Sequence, residues 1–327
     1  MNKKERVDAA LRDEAVDRVP ASMWGHDYAR EWGVQSLADA MIENFTHYDW
    51  DYVKVNPRAS YHVEDWGAKY RPSDDKLQSP TFEGSPVTGT SDWKRLRNLD
   101  PEQGVLGEQL RVLQLLDHAI GYDAYFVQTI FCPLGIAQYL TGGKDAVLQS
   151  IREDRKALHT GLRLITETFI QYAIASLEQG ASGIFYATLG WACDGILTQD
   201  QYREFGEQYD QEFLDTVKHR SKFTILHNCG TNIYFDLLSS YPVQAINWDA
   251  TAEGNPDLAE GRKRSGKAVM GGLSRETLKS GSSSQIREEV ARVCEQMGNR
   301  QFFLAPGCTI SPQTPTRNLD AIRRALS

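Results

Sequence analysis

The sequence predicts a (β/α)8 TIM barrel, on two observations. Short runs rich in β-branched and aromatic residues alternate with long amphipathic stretches, which indicates a parallel sheet whose strands are joined by helices. Eight such runs can be counted, and eight βα units are the number that closes into this barrel. The alternative, an open doubly wound sheet, normally has fewer strands and a glycine-rich phosphate turn after the first strand. The first turn here, "WGHDYAREWG", contains no such motif.

The elements follow in order along the chain, which we expect to form a single domain over residues 1–327. An N-terminal helix precedes the first strand, and the amphipathic stretches 156–180 and 198–220 are expected helices, the second opening with Thr198 as N-cap. A segment rich in Ser, Pro, Gly and Asp, residues 58–96, forms a long excursion after the second strand, with the composition of a hairpin. Such insertions shape a substrate site or an interface, although a plain surface elaboration is the alternative. The expected strands are residues 18–24, 51–57, 124–130, 182–189, 223–229, 243–249, 267–273 and 301–308.

Composition and charge exclude several classes of partner. With 41% hydrophobic and 24% charged residues the chain can bury a large core, as a soluble globular protein does. A net charge of -8 without a basic stripe argues against nucleic acid. No apolar run approaches the length of a membrane span, and none follows the early lysines as in a signal peptide, so we expect a cytoplasmic protein with no membrane partner. Five widely spaced cysteines then favour metal binding or burial over disulfides.

The fifth expected strand ends in an unusual pair, His227 and Cys229 in "FTILHNCG". Side chains two apart on a strand point to the same face, so this pair offers an imidazole and a thiol to one point in space. The pair can be half of a metal site, a Cys–His nucleophile, or two unconnected core residues.

A third soft ligand follows the eighth expected strand. Cys308 in "APGCTISPQTP" comes after a glycine that allows a close turn, at the end of the barrel where strands carry chemistry. One histidine with two thiolates suits Zn²⁺ and leaves a fourth position open for water or substrate. A Cys–His nucleophile would leave one cysteine unexplained. Cys132 and Cys193 also lie near expected strand ends, and either could replace one ligand.

Further polar and aromatic residues fall at or after the carboxyl ends of the expected strands, where barrel enzymes place their substrates. Each of these residues taken alone is more simply explained as a core or rim residue. The evidence for a substrate site is that all of them fall on the same rim of the expected barrel. They are His26, Trp24, Asn56, Arg58, Gln128, Tyr186 and Asp249.

Several segments together resemble the uroporphyrinogen decarboxylase superfamily over nearly the whole chain. They are "ALRDEAVDRVP", "FCPLGIAQYLTGG", "LTQDQYREFGEQYDQEFL", "LHNCG" and "GCTISPQTPTRNLDAIRRAL". The resemblance implies a (β/α)8 barrel and a homodimer. "HNCG" with the later "GC" is most similar to the corrinoid-dependent methyltransferase branch, the methylcobamide:coenzyme M methyltransferases, whose His-x-Cys and distant Cys bind zinc. His227, Cys229 and Cys308 match those ligands.

The match to the true decarboxylases is poorer at their own motifs. Their arginine-rich segment after the first strand is replaced by a stretch with Arg30 alone, and Asn56 stands about where they carry an essential aspartate. A substrate with many carboxylates needs several fixed cations and a proton donor. The residues therefore argue against that reaction.

The resulting hypothesis is a zinc-dependent transferase that moves a methyl group from methyl-cobalamin, carried by a separate corrinoid protein, to a small-molecule thiol or similar acceptor. Asp249, Tyr186 and Asn56 are predicted to position the acceptor, with Trp248 or Trp191 as walls of the pocket, and His26 and Gln128 are further candidates for substrate contacts. Two alternatives stay open. One is a decarboxylase-like lyase acting on a carboxylated tetrapyrrole, and the other is a non-catalytic barrel that binds a corrinoid or tetrapyrrole.

Overall fold

The computed structural model describes residues 1–326, whose secondary structure alternates strands and helices. The strands are β1 Tyr52–Lys54, β2 Lys69–Arg71, β3 Thr81–Gly84, β4 Tyr125–Phe131, β5 Gly183–Ala187, β6 Ile225–Asn228, β7 Ala245–Trp248, β8 Ala268–Leu273 and β9 Phe302–Pro306. The helices are α1 Lys3–Leu11, α2 Val34–Tyr48, α3 Tyr61–Glu64, α4 Gly104–Ile120, α5 Pro133–Thr141, α6 Lys144–Glu153, α7 Arg155–Glu178, α8 Gln199–Tyr202, α9 Gln208–Val217, α10 Phe235–Ser239, α11 Leu258–Ser265, α12 Arg275–Ser280, α13 Ser283–Met297 and α14 Thr316–Ala325.

The central sheet is parallel and has seven strands. Its order is β1-β4-β5-β6-β7-β8-β9, so each strand lies beside the next one of the sheet in chain order, with helices in the connections. This is the arrangement that repeated βα units produce when each helix packs back on the sheet. The α/β class and seven of the eight expected strands are confirmed.

The first expected strand, residues 18–24, forms one isolated bridge, Ala21 with Leu304, in place of a regular strand. The Leu304 N–H donates to the Pro20 carbonyl (2.9 Å), and Asp51 N–H donates to the Ala21 carbonyl (2.9 Å), so the segment touches both β9 and β1. Two of its residues give no donor to the sheet, because Pro20 has no N–H and the Ala21 N–H binds the Asp51 carboxylate at 2.9 Å, while the Ser22 N–H donates to the Leu304 carbonyl at 3.3 Å. The segment therefore does not form a regular strand. In place of the expected eight strands, the sheet has seven strands, and this bridging segment lies beside them.

Strand register determines which side chains share the barrel interior. Paired residues of neighbouring parallel strands point to the same face, and His227 pairs with Ala187 on β5 and Asn247 on β7. Phe185 lies two residues before Ala187, and its ring stacks on the His227 ring at 5.2 Å between centroids. This face is therefore the interior, and the alternate residues of each strand face the helices.

The two expected long helices are present, the second with an interruption. Helix α7 covers the stretch expected to be helical, and Thr198 caps α8 in a reciprocal arrangement with Gln201. A π-helical turn, Arg203–Glu207, separates α8 from α9. The N-terminal helix α1 is likewise capped by Asn2, whose side chain accepts from the Glu5 N–H.

The excursion after β1 contains the antiparallel pair β2 and β3. It reaches the first turn, where the Tyr28 N–H donates to the Lys76 carbonyl at 3.4 Å. Within residues 1–326, no helix has both the length and the apolar composition needed to cross a bilayer.

Candidate metal centre and adjoining cavity

Three soft ligand atoms meet at the carboxyl end of the sheet. The His227 Nε2 lies 2.9 Å from the Cys229 Sγ, and the two sulfurs of Cys229 and Cys308 are 3.5 Å apart. All three atoms lie within 4.8 Å of one another, the one such group of His, Cys, Asp and Glu side chains in residues 1–326. Strand β6 supplies His227, the residue just after it is Cys229, and the turn after β9 supplies Cys308. The H-x-C spacing and the distant cysteine thus come together as the sequence predicts.

Asn247 fixes the orientation of the imidazole. Its side-chain Nδ2 donates to the carbonyls of Met270 (2.9 Å) and Pro306 (3.1 Å), so its Oδ1 must face His227. The His227 Nδ1–H then donates to that oxygen at 2.6 Å, which leaves the Nε2 lone pair directed at the sulfurs. A ligand histidine held through its second nitrogen is the usual arrangement in metal sites. Sequence reasoning missed Asn247, although its position on the neighbouring strand is the signal that could have found it.

The two thiols differ in acidity because they touch each other. The pKa of Cys308 is lowered by its contact with the Cys229 sulfur and by the neighbouring His227. The pKa of Cys229 is raised by the same contact and by burial. One proton therefore serves the pair, and Cys308 is the sulfur that carries negative charge first. Such a donor set is prepared for a soft cation.

A glycine lets the Cys308 turn approach the end of β7. A Cβ atom on Gly307 would lie 2.8 Å from the Cα of Asp249, closer than side chains tolerate. Asp249 itself accepts hydrogen bonds from the backbone N–H and the hydroxyl of Thr251, at 3.0 and 2.7 Å. The structure thus places Asp249 on the rim beside the three ligands, with one carboxylate oxygen already occupied.

Lys54 is a buried cation that sequence reasoning missed. Its ammonium lies 4.9 Å from the centre of the Phe185 ring, the ring that stacks on His227, and donates to the Asn56 Oδ1 at 2.7 Å. Burial lowers the pKa of Lys54 to about 7, against the opposite effect of Cys308, Glu31 and Cys229. The signal was available, because a lysine two residues before Asn56 on a buried strand shares its inward face.

A cavity of about 480 Å³ is lined among others by Trp24, His26, Glu31, Lys54 and Asn56. None of the three ligands lines it, and Lys54 connects it to the cluster through the Phe185 ring that stacks on His227. Its volume is in the range of small-molecule sites. The His26 Nδ1–H donates to a carboxylate oxygen of Glu31, and the His26 ring stacks on Tyr28 at 4.9 Å. The predicted substrate candidates His26 and Asn56 therefore do line a cavity.

Three predicted site residues face the other way, and their predicted roles at the substrate site are wrong. Tyr186 alternates with Phe185 along β5 and directs its hydroxyl to Asp210 of α9 at 2.6 Å. Trp248 follows Asn247 on β7, and its indole N–H donates to the Pro256 carbonyl at 2.9 Å. The Gln128 side chain donates to the Tyr172 hydroxyl of α7 at 2.7 Å. Each belongs to the correct strand and to the face that the helices cover.

Trp191 and the remaining cysteines lie outside the sulfur cluster. Trp191 is buried in the loop after β5, with the Lys144 ammonium 5.2 Å from its ring centre. Cys132 accepts from the Gly135 N–H at the start of α5, and the Cys193 thiol donates to the Gly190 carbonyl. Neither replaces a ligand of the cluster.

The two arginines considered at the sequence level are engaged with carboxylates. Arg30 pairs with the exposed Glu43 at 2.6 Å. The buried Arg58 pairs with Glu64 at 2.8 Å and Glu108 at 3.3 Å. Neither is an uncommitted cation for a carboxylated substrate.

Known proteins with similar sequences include members of both enzyme groups weighed above. Methylcobamide:CoM methyltransferase MtbA from Methanosarcina acetivorans is 24% identical over 339 residues, covering 97% of this chain and 95% of that protein. Uroporphyrinogen decarboxylase from Prochlorococcus marinus strain NATL2A is 27% identical over 243 residues, covering 71% of this chain and 66% of that protein.

A solved structure and a family model extend the comparison over the whole chain. A methyltransferase from Methanosarcina mazei shares the fold with a TM-score of 0.84 at 23% identity, covering 99% of this chain and 98% of that one. The family model for uroporphyrinogen decarboxylase (URO-D) matches residues 2–327. The resemblance seen in the sequence is confirmed, and the chain belongs to the uroporphyrinogen decarboxylase (URO-D) family.

Proposed function

We propose that this protein is a zinc-dependent methyltransferase that moves a methyl group from a corrinoid to a thiol or a similar acceptor. The observation that carries the proposal is the convergence of the His227 Nε2 with the sulfurs of Cys229 and Cys308 within 4.8 Å. The cluster lies at the end of the sheet where barrel enzymes place their chemistry, beside a cavity.

The donor set fits zinc in chemistry and in spacing. Ligands about 2.0–2.3 Å from zinc at tetrahedral angles lie roughly 3.4–3.8 Å from each other. The sulfur–sulfur distance of 3.5 Å already agrees, and the nitrogen–sulfur distance of 2.9 Å needs a small movement apart. His227, Cys229 and Cys308 would hold the ion and leave one position for the acceptor.

When bound, zinc would hold a thiol as its thiolate near neutral pH. The residues of the chain prepare this in three ways. Asn247 keeps the Nδ1 proton on His227, the pair of thiols carries negative charge on Cys308 first, and the Phe185 ring covers the imidazole. The acceptor sulfur would form its bond to the methyl carbon as the carbon–cobalt bond breaks, with that bond's electron pair remaining on cobalt.

The donor proposed is methyl-cobalamin on a separate corrinoid protein. Two observations support this donor. The relative MtbA is a methylcobamide:CoM methyltransferase, and the cavity has the size of a small-molecule site. We assign acceptor contacts to Asn56 and His26, which line the cavity, and a rim position to Asp249. Trp191 stays a candidate wall of the site.

The decarboxylase alternative has weaker support from the same geometry. A carboxylated tetrapyrrole needs several free cations, whereas Arg30 and Arg58 are both paired with carboxylates. Lys54 is the buried cation that remains near the cluster. A barrel that binds a corrinoid without turnover would not need the thiol cluster.

The proposal includes a single barrel domain that the segment 18–24 closes as the eighth strand, a homodimer, and a cytoplasmic location. The bridge of this segment to β9, Ala21 with Leu304, and its hydrogen bond from the Asp51 N–H support the closure.

Metal analysis with matched cysteine variants tests the function. The purified protein should hold about one zinc per chain, and Cys308→Ser should lose most of it because one of three ligands is gone. Cys294→Ser, on α13 and also half-buried, is the control and should keep its zinc.

Activity is then followed by the corrinoid spectrum as methyl-cobalamin is demethylated in the presence of a thiol. The wild type and Cys294→Ser should react, and Cys308→Ser should not. Full activity of metal-free protein, or turnover of uroporphyrinogen undisturbed by a chelator, would contradict the proposal.

A further inference from the structure

The cavity beside the cluster is walled by buried polar atoms that have no partner within residues 1–326. Two are donors, the Trp24 Nε1–H and the Asn56 Nδ2, two are acceptors, Glu31 Oε2 and Asp27 Oδ1, and the fifth is the Thr314 hydroxyl, which can donate or accept. Trp24, Asn56 and Glu31 are only 4%, 6% and 2% exposed. An unmade hydrogen bond on a buried group costs about 1–3 kcal/mol, so such groups are rarely left without a purpose. Five such atoms around one cavity indicate a ligand with complementary groups.

The donors belong together with Lys54. Its ammonium has three N–H bonds and spends one on the Asn56 Oδ1, at 2.7 Å. That contact also fixes the Asn56 amide, so its NH₂ is the end without a partner. Together with the Trp24 indole, this wall offers donors from three side chains, and Lys54 adds a positive charge when it is protonated. It suits a carboxylate of the ligand.

The acceptors come from the turn after the bridging segment. One oxygen of Glu31 receives the His26 Nδ1–H, and the other has no partner. The Asp27 Oδ1 is buried in the same wall, also without a partner. Two carboxylates beside a cavity repel an anion and favour a group that is positively charged and rich in N–H donors, such as an ammonium.

We propose that the cavity binds a small zwitterion of the α-amino acid type, with its ammonium at Glu31 and Asp27 and its carboxylate at Lys54, Asn56 and Trp24. This inference rests on the proposed function in one respect: if the protein is a methyltransferase, its methyl acceptor is an amino acid that carries a thiol. The cavity wall leads to the cluster, because Lys54 lies over the Phe185 ring that stacks on His227. A thiol with an anionic group alone would leave both acceptors without a partner.

Calorimetric titration of the zinc-loaded protein with four small molecules tests the inference. L-Homocysteine carries thiol, ammonium and carboxylate. 3-Mercaptopropionate lacks the ammonium and cysteamine lacks the carboxylate, each with one chain carbon fewer, which is worth only about 0.8 kcal/mol. L-2-Aminobutyrate lacks the thiol. L-Homocysteine should bind at least about tenfold more tightly than 3-mercaptopropionate or cysteamine, since each lost charge-assisted contact is worth about 1.5–3 kcal/mol. Equal affinity for L-homocysteine and 3-mercaptopropionate would overturn the inference.

Matched carboxylate variants locate the ammonium. Glu31→Gln keeps the shape and should reduce L-homocysteine affinity about tenfold while leaving 3-mercaptopropionate binding unchanged. Glu83→Gln lies outside the cavity wall, and its exposed side chain pairs with Arg71, so it should behave as the wild type. Asp27→Asn is a second variant in case Glu31→Gln does not fold. An unchanged preference for L-homocysteine in both Glu31→Gln and Asp27→Asn would refute the assignment.

The failures of the two proposals look different. If the purified protein holds no zinc but binds L-2-aminobutyrate, and Glu31→Gln loses that binding, the zwitterion site is supported and the proposed methyl transfer is contradicted. If the protein transfers methyl groups to thiols in a zinc-dependent reaction, but does not prefer thiols that carry an ammonium, the methyl transfer is supported and the zwitterion site is contradicted.

Discussion

Replacing Asn247 with alanine should weaken zinc binding although Asn247 is not a ligand. Its Oδ1 receives the His227 Nδ1–H at 2.6 Å, and its Nδ2 bridges the Met270 and Pro306 carbonyls at 2.9 and 3.1 Å. Without it the imidazole can rotate and can carry its proton on Nε2, the atom that faces the sulfurs. Zinc binding would then have to fix both the orientation of the imidazole ring and the nitrogen that carries its proton.

The size of the effect follows from these three hydrogen bonds. Loss of a residue that orients a ligand histidine typically costs 10–100-fold in metal affinity, or about 1.4–2.8 kcal/mol. The two carbonyls left without a donor should lower the free energy of unfolding of the metal-free protein by about 2–6 kcal/mol, at 1–3 kcal/mol each. These are separate consequences and need separate measurements.

Competition against a chromophoric chelator gives the zinc affinity, and urea unfolding gives the stability. Asn318→Ala is the matched control, because the Asn318 Nδ2 also donates to two carbonyls, Leu278 and Gly281, both at 2.9 Å, far from the cluster. It should lose a similar amount of stability and keep its zinc affinity. If Asn247→Ala binds zinc as tightly as Asn318→Ala does, Asn247 does not orient the imidazole and the reasoning fails.

Two further predictions concern stability away from the cluster. Burial raises the pKa of Asp210 from 3.8 to about 6 despite hydrogen bonds from three tyrosine hydroxyls, so the folded state holds its proton more tightly than the unfolded state. The contribution of Asp210 to the free energy of unfolding should therefore fall by roughly 3 kcal/mol as pH rises from 4 to 7, at about 1.36 kcal/mol per unit of pKa difference between the two states. In urea unfolding across that range Asp210→Asn should lack this fall, the exposed Asp200→Asn should keep it, and parallel profiles for the two would contradict the assignment. Thr198→Ala removes the cap on the Gln201 N–H (3.2 Å) and should cost about 1 kcal/mol at pH 7. Thr216→Ala, exposed within α9, should cost less than about 0.5 kcal/mol, and equal losses would show that the cap does not stabilise α8.

The strands and the ligands were predictable because both depend on local order in the chain. Alternating runs predicted seven strands that the structure contains, and spacing placed His227 and Cys229 on one face. The glycine before Cys308 signalled a close turn, which the contact of Gly307 with Asp249 explains. The resemblance to the family then joined residues that lie about eighty positions apart.

The face of each strand residue was decided only by the tertiary structure. In a parallel sheet with helices outside and a packed interior, both faces are buried, so a strand such as β5 reads as apolar throughout and its sequence does not say which set points inward. Register settled it: Phe185 and His227 share the interior, whereas Tyr186, Trp248 and Gln128 turn to the helices. The same parity brought Lys54 and Asn56 to the cavity. The sequence determined which elements form and which ligands the chain carries, and packing between distant strands decided which side chains meet, because contacts across a barrel depend on register that no local pattern encodes.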